Sequence, residues 1–427
     1  MKLEKFKQKD NKKIGIIIFT VCCILLITGV YLYSSFAIYE QDQNFNVING
    51  TVEDPGDLYF AFYVDDVISK TMPTKGSGYT LDTEKSSCTN GATPTLNEDT
   101  WSIKVNNLTT THTKCTLYFK YIPSAVDTIL ALGESDELAY DGTIDNNLRY
   151  IGANPNNYVL FNNELWRIIG VMNNIDDGTG KKEARLKIIR NESFGNAING
   201  YQSDNYIWSK TNNYWGQAEL MTLLNDGGYW NRTSSACYFG YYVSNGIYSA
   251  YEKTCDFSEN GLTTEAKEMV ASAVWNLGAS EYANAATLYT NERENSTIVE
   301  GVENVWTGKV GLFYPSDFAF ATGGGDSISR SDCLTMTLNT AYDGNCLKNN
   351  WLHKGLSEYT ITPSINQFSP SSDSEVFCIS YDNVFQTCYV SYGNTSGHNF
   401  SPVVYLSSNV KITSGTGSES DPYVLSL

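Results

Sequence analysis

Eight cysteines constrain this chain more than any other feature, because they fall in four close couples: Cys88 and Cys115, Cys237 and Cys255, Cys333 and Cys346, Cys378 and Cys388. Within the couples the separations are 27, 18, 13 and 10 residues; between them they are 122, 78 and 32. Eight cysteines allow about 105 pairings. The clustering favours the four nearest-neighbour bridges. A metal reading would need CxxC knuckles or adjacent histidines, and the sequence has neither. Each such bridge stabilises by roughly 2–4 kcal/mol, mainly by restricting the unfolded chain, and persists only in an oxidising compartment.

The stretch FCISYDNVFQTCYVSY, Phe377 to Tyr392, tests the pairing locally. A hairpin with the three-residue turn Asp382-Asn383-Val384 sets Tyr381 opposite Phe385, Ile379 opposite Thr387 and Phe377 opposite Tyr389. Cys378 then lies directly opposite Cys388. Opposed residues have Cα atoms about 4.5–5.5 Å apart, within reach of a disulfide.

Compartment can be read independently from the N-terminus. Ile14 to Tyr33, IGIIIFTVCCILLITGVYLY, carries no charge and contains the other two cysteines, Cys22 and Cys23. About 20 helical residues span the hydrocarbon layer. Six lysines precede the run against Glu4 and Asp10, a net +4, which holds that end in the cytoplasm. The expectation is a cytoplasmic tail over 1–13, an anchor over 14–38 in the lipid bilayer, and an extracellular body. The rival is a cleaved signal peptide, with Ser35 to Ala37 as the cleavage site. Both readings export the body.

Net charge is -18, so the remainder carries -22. No basic stripe offsets it, which excludes nucleic acid as a partner. Tyrosine is abundant, at 30 residues, alongside 34 glycines. Such a composition suits a turn-rich α+β or all-β body.

The 427 residues suggest two or three domains. Residues 39–122 read as a small β-domain, an immunoglobulin-like sandwich acting as a stalk. Its strands are DLYFAFYV (57–64), WSIKV (101–105) and KCTLYFKY (114–121), the last alternating with Cys115, Leu117, Phe119 and Tyr121 on one face. Residues 123–139 read as a helical linker, with Ser124 as cap, Asp127 three residues on and Gly133 as stop. Residues 140–427 read as the head. NYVLFNNELWRIIGVM (157–172) gives strand, Asn-Asn turn and strand, and RLKIIR (185–190) a third strand. Two helices are expected, over 216–225 and 263–278. The latter has Met269, Val270, Ala273, Val274 and Leu277 as its apolar stripe. Asp176, Asp177 and Gly178 fail the calcium-loop spacing and read as a hairpin turn. No wall-sorting motif is present, so attachment would rest on the N-terminal helix.

Chemistry is sparse. His112, His353 and His398 are the only histidines. No nucleophile elbow, HExxH or phosphate loop exists, and each histidine reads as a lone surface residue. Glu292 and Glu294 in NERENS could serve as a carboxylate pair, but read as a solvated loop. No catalytic residue, cofactor or metal ligand is assigned. YGNTSGHNF (392–400) is a polar loop with aromatic ends, and its Tyr392, Asn394, His398 and Asn399 are the candidate ligand-binding residues.

Several segments together carry a resemblance: ELWRIIGV (164–171), LLN (223–225), GLFYPSDFAFA (311–321), WLHKGLSEYTITPS (351–364) and PVVYLSSNVKI (402–412). In that order they resemble uncharacterised bacterial surface domains with the C-type-lectin-like fold of the formylglycine-generating-enzyme type. The resemblance implies a head with two or three helices whose final segments display a variable ligand surface. Where relatives often show Gly-Val-Arg-Pro, this chain has Asn399-Phe400-Ser401-Pro402, so a buried arginine contact is missing. The reactive cysteines of the enzyme branch have no counterpart here. The small module resembles those of similar anchored proteins. These readings lead to a surface-anchored binding or adhesion protein for a glycan or a surface protein. The alternatives are an extracellular cell-envelope hydrolase, and a structural surface-layer or matrix component.

Overall fold

A computed structural model describes residues 58–427 except 109–111, 196–204, 211, 245–246, 295–303, 365–374, 381–384 and 390–396. The apolar run of residues 14–33 therefore lies outside the described residues. Among those described, no helix is long and apolar enough to cross a membrane. The fold is mixed α+β, dominated by strands. Chain contacts divide it into two units, Met1–Ile122 and Pro123–Leu427.

In the first unit, Leu58–Val64 runs parallel to Thr113–Tyr121. Asp65 and Asp66, both at positive φ, turn the chain back into Val67–Ser69, a tight hairpin of the kind short acidic residues tolerate. Tyr79–Leu81 and Ser87–Cys88 pair with the other edge of Thr113–Tyr121. Cys88 sits directly opposite Cys115, and the two form a cystine with Cα atoms 4.0 Å apart. Alternation along Thr113–Tyr121 buries Thr113, Cys115, Leu117 and Phe119. Tyr121, expected on that face, is 46 % exposed because the strand runs past the core there. A separate ribbon, Thr93–Asn97 with Ser102–Asn106, adds Ile103 and Val105 to the same core.

The second unit is built on a nine-stranded sheet. At its centre Tyr158–Phe161 turns through Asn162 and Asn163, both at positive φ, into Glu164–Asp176. That strand turns at Asp176-Asp177-Gly178 into Lys182–Arg190. Asp176 Oδ1 accepts from the Gly178 and Gly180 amides and so closes the turn. Val403–Tyr405 and Val310–Gly311 extend one side of the sheet; Tyr423–Ser426 and Lys411–Ser414 extend the other. Trp166, Ile168, Val171 and Ile188 are fully buried.

Gly170 marks a register shift in the central strand, where Leu148–Tyr150 pairs with it. A Cβ there would meet the Leu148 carbonyl oxygen at 2.3 Å and the Arg149 Cα at 3.0 Å. Gly170→Ala is therefore expected to cost about 1–3 kcal/mol of stability, read as a lower urea midpoint. An unchanged midpoint would show that the two backbones do not approach this closely.

Three expectations are corrected here. Ala125–Leu130 keeps its capping box, with the Asp127 amide donating to Ser124 Oγ at 3.1 Å. It is not a linker, however: Ala125, Val126 and Ile129 are buried in the larger core. The helix expected over 263–278 ends at Met269, and Ala273–Asn276 is a strand paired with Val305–Gly308. Val270 already has extended backbone. β-Branched Val274 and large Trp275 suit a sheet better than a helix, and Trp275 lies opposite Trp306. Finally, the described residues of 140–427 hold seven short α-helices rather than two or three. One is Pro315–Phe320, whose proline-led first turn was hidden inside an apolar run.

All four nearest-neighbour cystines are formed. The last hairpin differs in register from the sequence expectation. Cys378 lies opposite Gln386, and Cys388 opposite Val376, so the bridge is diagonal rather than direct. Against the sequence expectation the pairing is slipped by two residues, with Ile379 opposite Phe385 rather than Thr387. Both sulfurs still share a face because the slip is even. Cys237 and Cys255 repeat the diagonal in their own ribbon, with Cα atoms 5.8 Å apart against 5.9 Å for Cys378 and Cys388. Cys378→Ser with Cys388→Ser is expected to lower unfolding free energy by about 2.5 kcal/mol, as a short closed loop implies. A midpoint equal to that of the parent would refute this.

Candidate functional site

Two polar clusters lie within the second unit, one sealed in the core and one nearer the surface. The inner one begins with Arg149, which is 1 % exposed. Its Nε donates to Asp141 Oδ2 and its Nη1 to Asp317 Oδ1, both at 2.8 Å. Lys187, in the middle of Lys182–Arg190, ion-pairs with the other oxygen of Asp317. The Tyr314 amide also donates to that oxygen, at 2.9 Å, so Asp317 serves as helix cap and counter-ion together. Asn147 links Asp141 to the Tyr289 hydroxyl, which donates to Asp145 at 2.5 Å.

Burial would raise the Asp317 carboxyl, but Lys187 and Arg149 outweigh it and hold the group at about 2. Burial brings Lys187 down to about 8 against the pull of Asp317. Near neutrality the network therefore holds two cations against Asp141 and Asp317. The Tyr314 ring centre lies 4.2 Å from Lys187 Nζ, and that of Tyr405 5.4 Å away. Such a low-dielectric shell strengthens the pairing.

Glu292 belongs beside this network, not in a solvated loop. It sits on the helix Ala285–Glu294, fully buried, accepting from the Ser316 amide at 3.0 Å and the Ser316 hydroxyl at 2.5 Å. Burial raises its pKa. Glu292 therefore presents no free oxygen to a substrate, and the side chain of Glu294 lies outside what is described.

The outer cluster is where four segments cross. Phe194 bridges Phe400, Tyr206 bridges His398, and Glu358 bridges Asn399. Ser193 Oγ and Ser401 Oγ both donate to Glu358 Oε1 at 2.6 Å. Lys354 Nζ donates to Ser401 Oγ at 2.8 Å and lies 3.5 Å from Glu358. Burial lowers the Lys354 pKa, and Glu358 opposes it. Arg190 at the edge of the same cluster makes a two-pronged pair with Glu164, its Nη2 2.7 Å from Oε2 and its Nε 3.0 Å from Oε1. Ser401 occupies the stretch where an arginine was missed in the sequence, and a cation reaches it from Lys354 instead.

Of the four candidate ligand residues, Tyr392 and Asn394 lie outside the described residues. His398 and Asn399 are described and buried, at 4 % and 1 % exposure. The His398 amide donates to the Tyr206 carbonyl at 3.0 Å, and its ring meets the Tyr359 ring edge-to-face at 4.8 Å. Burial pulls His398 down to about 4, so the imidazole is neutral. The surface placement expected for it is thus corrected. His112 is exposed, and His353 is half-buried against Phe318.

Sequence reasoning missed Arg149, Lys187 and Asp317, and also Ser193, Lys354, Glu358 and Ser401. A signal existed for the first group: Lys187 stands between Leu186 and Ile188 in a strand, and Asp317 follows a helix-starting proline at the third helical position. Nothing local marks the second group, which is assembled by folding. Compared with known proteins, the chain matches no family model, no curated protein and no solved structure.

Proposed function

We propose that this is a membrane-anchored, extracellular binding or adhesion protein that presents a cystine-stapled head to a glycan or a surface protein. The observation that carries the reading is the set of four cystines. One ties the first unit and three tie the second, as an oxidising environment requires. The uncharged run Ile14–Tyr33 behind its lysines supports the same topology from different residues. In this reading the first unit, an immunoglobulin-like stalk, raises a C-type-lectin-like head. The candidate ligand contacts are Tyr392 and Asn394, since His398 and Asn399 are buried.

Ligand contact is expected to come from loops carried on a stiff scaffold. The inner cations Arg149 and Lys187 are matched by Asp141 and Asp317, which leaves recognition to the periphery. The test is protease shaving of intact cells followed by mass spectrometry of unreduced peptides. Release of peptides from residues 58–427, with 378 linked to 388, supports the reading. A body protected from protease, or free thiols at all eight positions, would overturn it. A glycan and protein array probed with the released body, with Tyr392→Ala as control, then identifies the ligand class.

A further inference from the structure

The Cys378–Cys388 cystine has a third neighbour. One ligating nitrogen of His398 and the two sulfurs all lie within 4.8 Å of one another, and all three residues are buried. Among the described residues no other group of three His, Cys, Asp or Glu gathers so closely.

The three donors are held by backbone, not only by the bridge. Cys378 sits in Glu375–Ile379, paired with Tyr359 on one side and Gln386 on the other. Cys388 is carried by the strand Phe385–Tyr389. His398 is fixed by its amide donating to the Tyr206 carbonyl, by the Asn399 amide donating to the Ser357 carbonyl at 2.9 Å, and by the Tyr359 ring. Opening the sulfur–sulfur bond would leave these strand and bridge contacts in place.

Two thiolates and an imidazole are a donor set for a thiophilic cation, and zinc accepts three protein ligands with a fourth position open. We propose that reduction converts this staple into a buried three-donor Zn2+ site formed by Cys378, Cys388 and His398. A phosphine supplies the two electrons: the S–S bond breaks, two thiols form, and the phosphine leaves as its oxide with oxygen taken from water. Zn2+ then displaces the two thiol protons. Among the described residues no other cysteine couple gathers with a histidine into such a group, so a His398 imidazole signal reports this site.

The experiment uses the full chain labelled with 15N-histidine, whose three imidazoles are separately assignable. In phosphine-reduced protein, one equivalent of Zn2+ is expected to shift the ring nitrogens of His398 and leave those of His112 and His353 unmoved. The same addition to oxidised protein should shift none. Cys388→Ser should abolish the shift while the near-ultraviolet circular dichroism stays native; if that variant does not fold, Cys378→Ser carries the same expectation. Absence of a His398 shift in the reduced parent would overturn the proposal. So would an equal shift in the oxidised protein, or loss of the native spectrum on reduction alone.

Discussion

Asp317→Ala is expected to destabilise the larger unit by about 3–5 kcal/mol, the cost of removing one partner from a buried ion pair. The reason lies in what stays behind. Lys187 is fully buried and has no other carboxylate within ion-pair reach among the described residues. Arg149 retains Asp141 but loses half its charge balance. The Tyr314 amide loses its acceptor at the start of a buried helix turn. Urea unfolding should show the midpoint falling with an unchanged slope. Added salt should not close the gap, since a buried pair is poorly screened. The double replacement Lys187→Met with Asp317→Leu is expected to recover part of the loss, because it removes both desolvated charges together. If Asp317→Ala left the midpoint within about 0.5 kcal/mol of the parent, the inner network would not be an energetic keystone.

That network also shows where sequence reading stops. Cysteine spacing was informative because loop closure is local, and the four couples could be paired without knowing the sheet. Register was less legible. Cys378 and Cys388 share a face in either alignment, so spacing alone could not separate a direct bridge from the diagonal one observed. The hairpins at Asn162-Asn163 and Asp176-Asp177 were legible because turn chemistry is set by a few residues. The stripe from Met269 to Leu277 misled because apolar residues at helical spacing also fit a bend followed by a buried strand. Trp306, 31 residues after Trp275, decided between them. Glu292 was misread for a related reason. Its exposure depends on Ser316, 24 residues further along the chain, and no local pattern announces that partner.

Acidification is expected to weaken the fold through His398 well before Asp317 is reached. A histidine whose folded pKa lies below its unfolded value binds a proton more readily once unfolded. Stability from this group is therefore complete above about 6.5 and drains away as pH falls toward about 4. The full span is worth about 3 kcal/mol. Groups packed nearby do not blur the window, since Tyr206 and Tyr359 are both pushed upward by burial and stay neutral throughout. Glu292 works in the opposite sense. Its raised pKa gives stability that is present below its unfolded pKa and lost as pH rises through the folded one. Asp317, held at about 2, loses its contribution only at more acid pH. Subtracting the profile of His398→Gln from that of the parent isolates the imidazole, because the carboxylates are common to both. Urea midpoints taken between pH 7 and 4 should diverge steadily, with the parent falling faster. Parallel profiles would mean that His398 is solvated or already paired when protonated, and the crossing of segments at Tyr206, Tyr359 and Asn399 would then be looser than its burial implies.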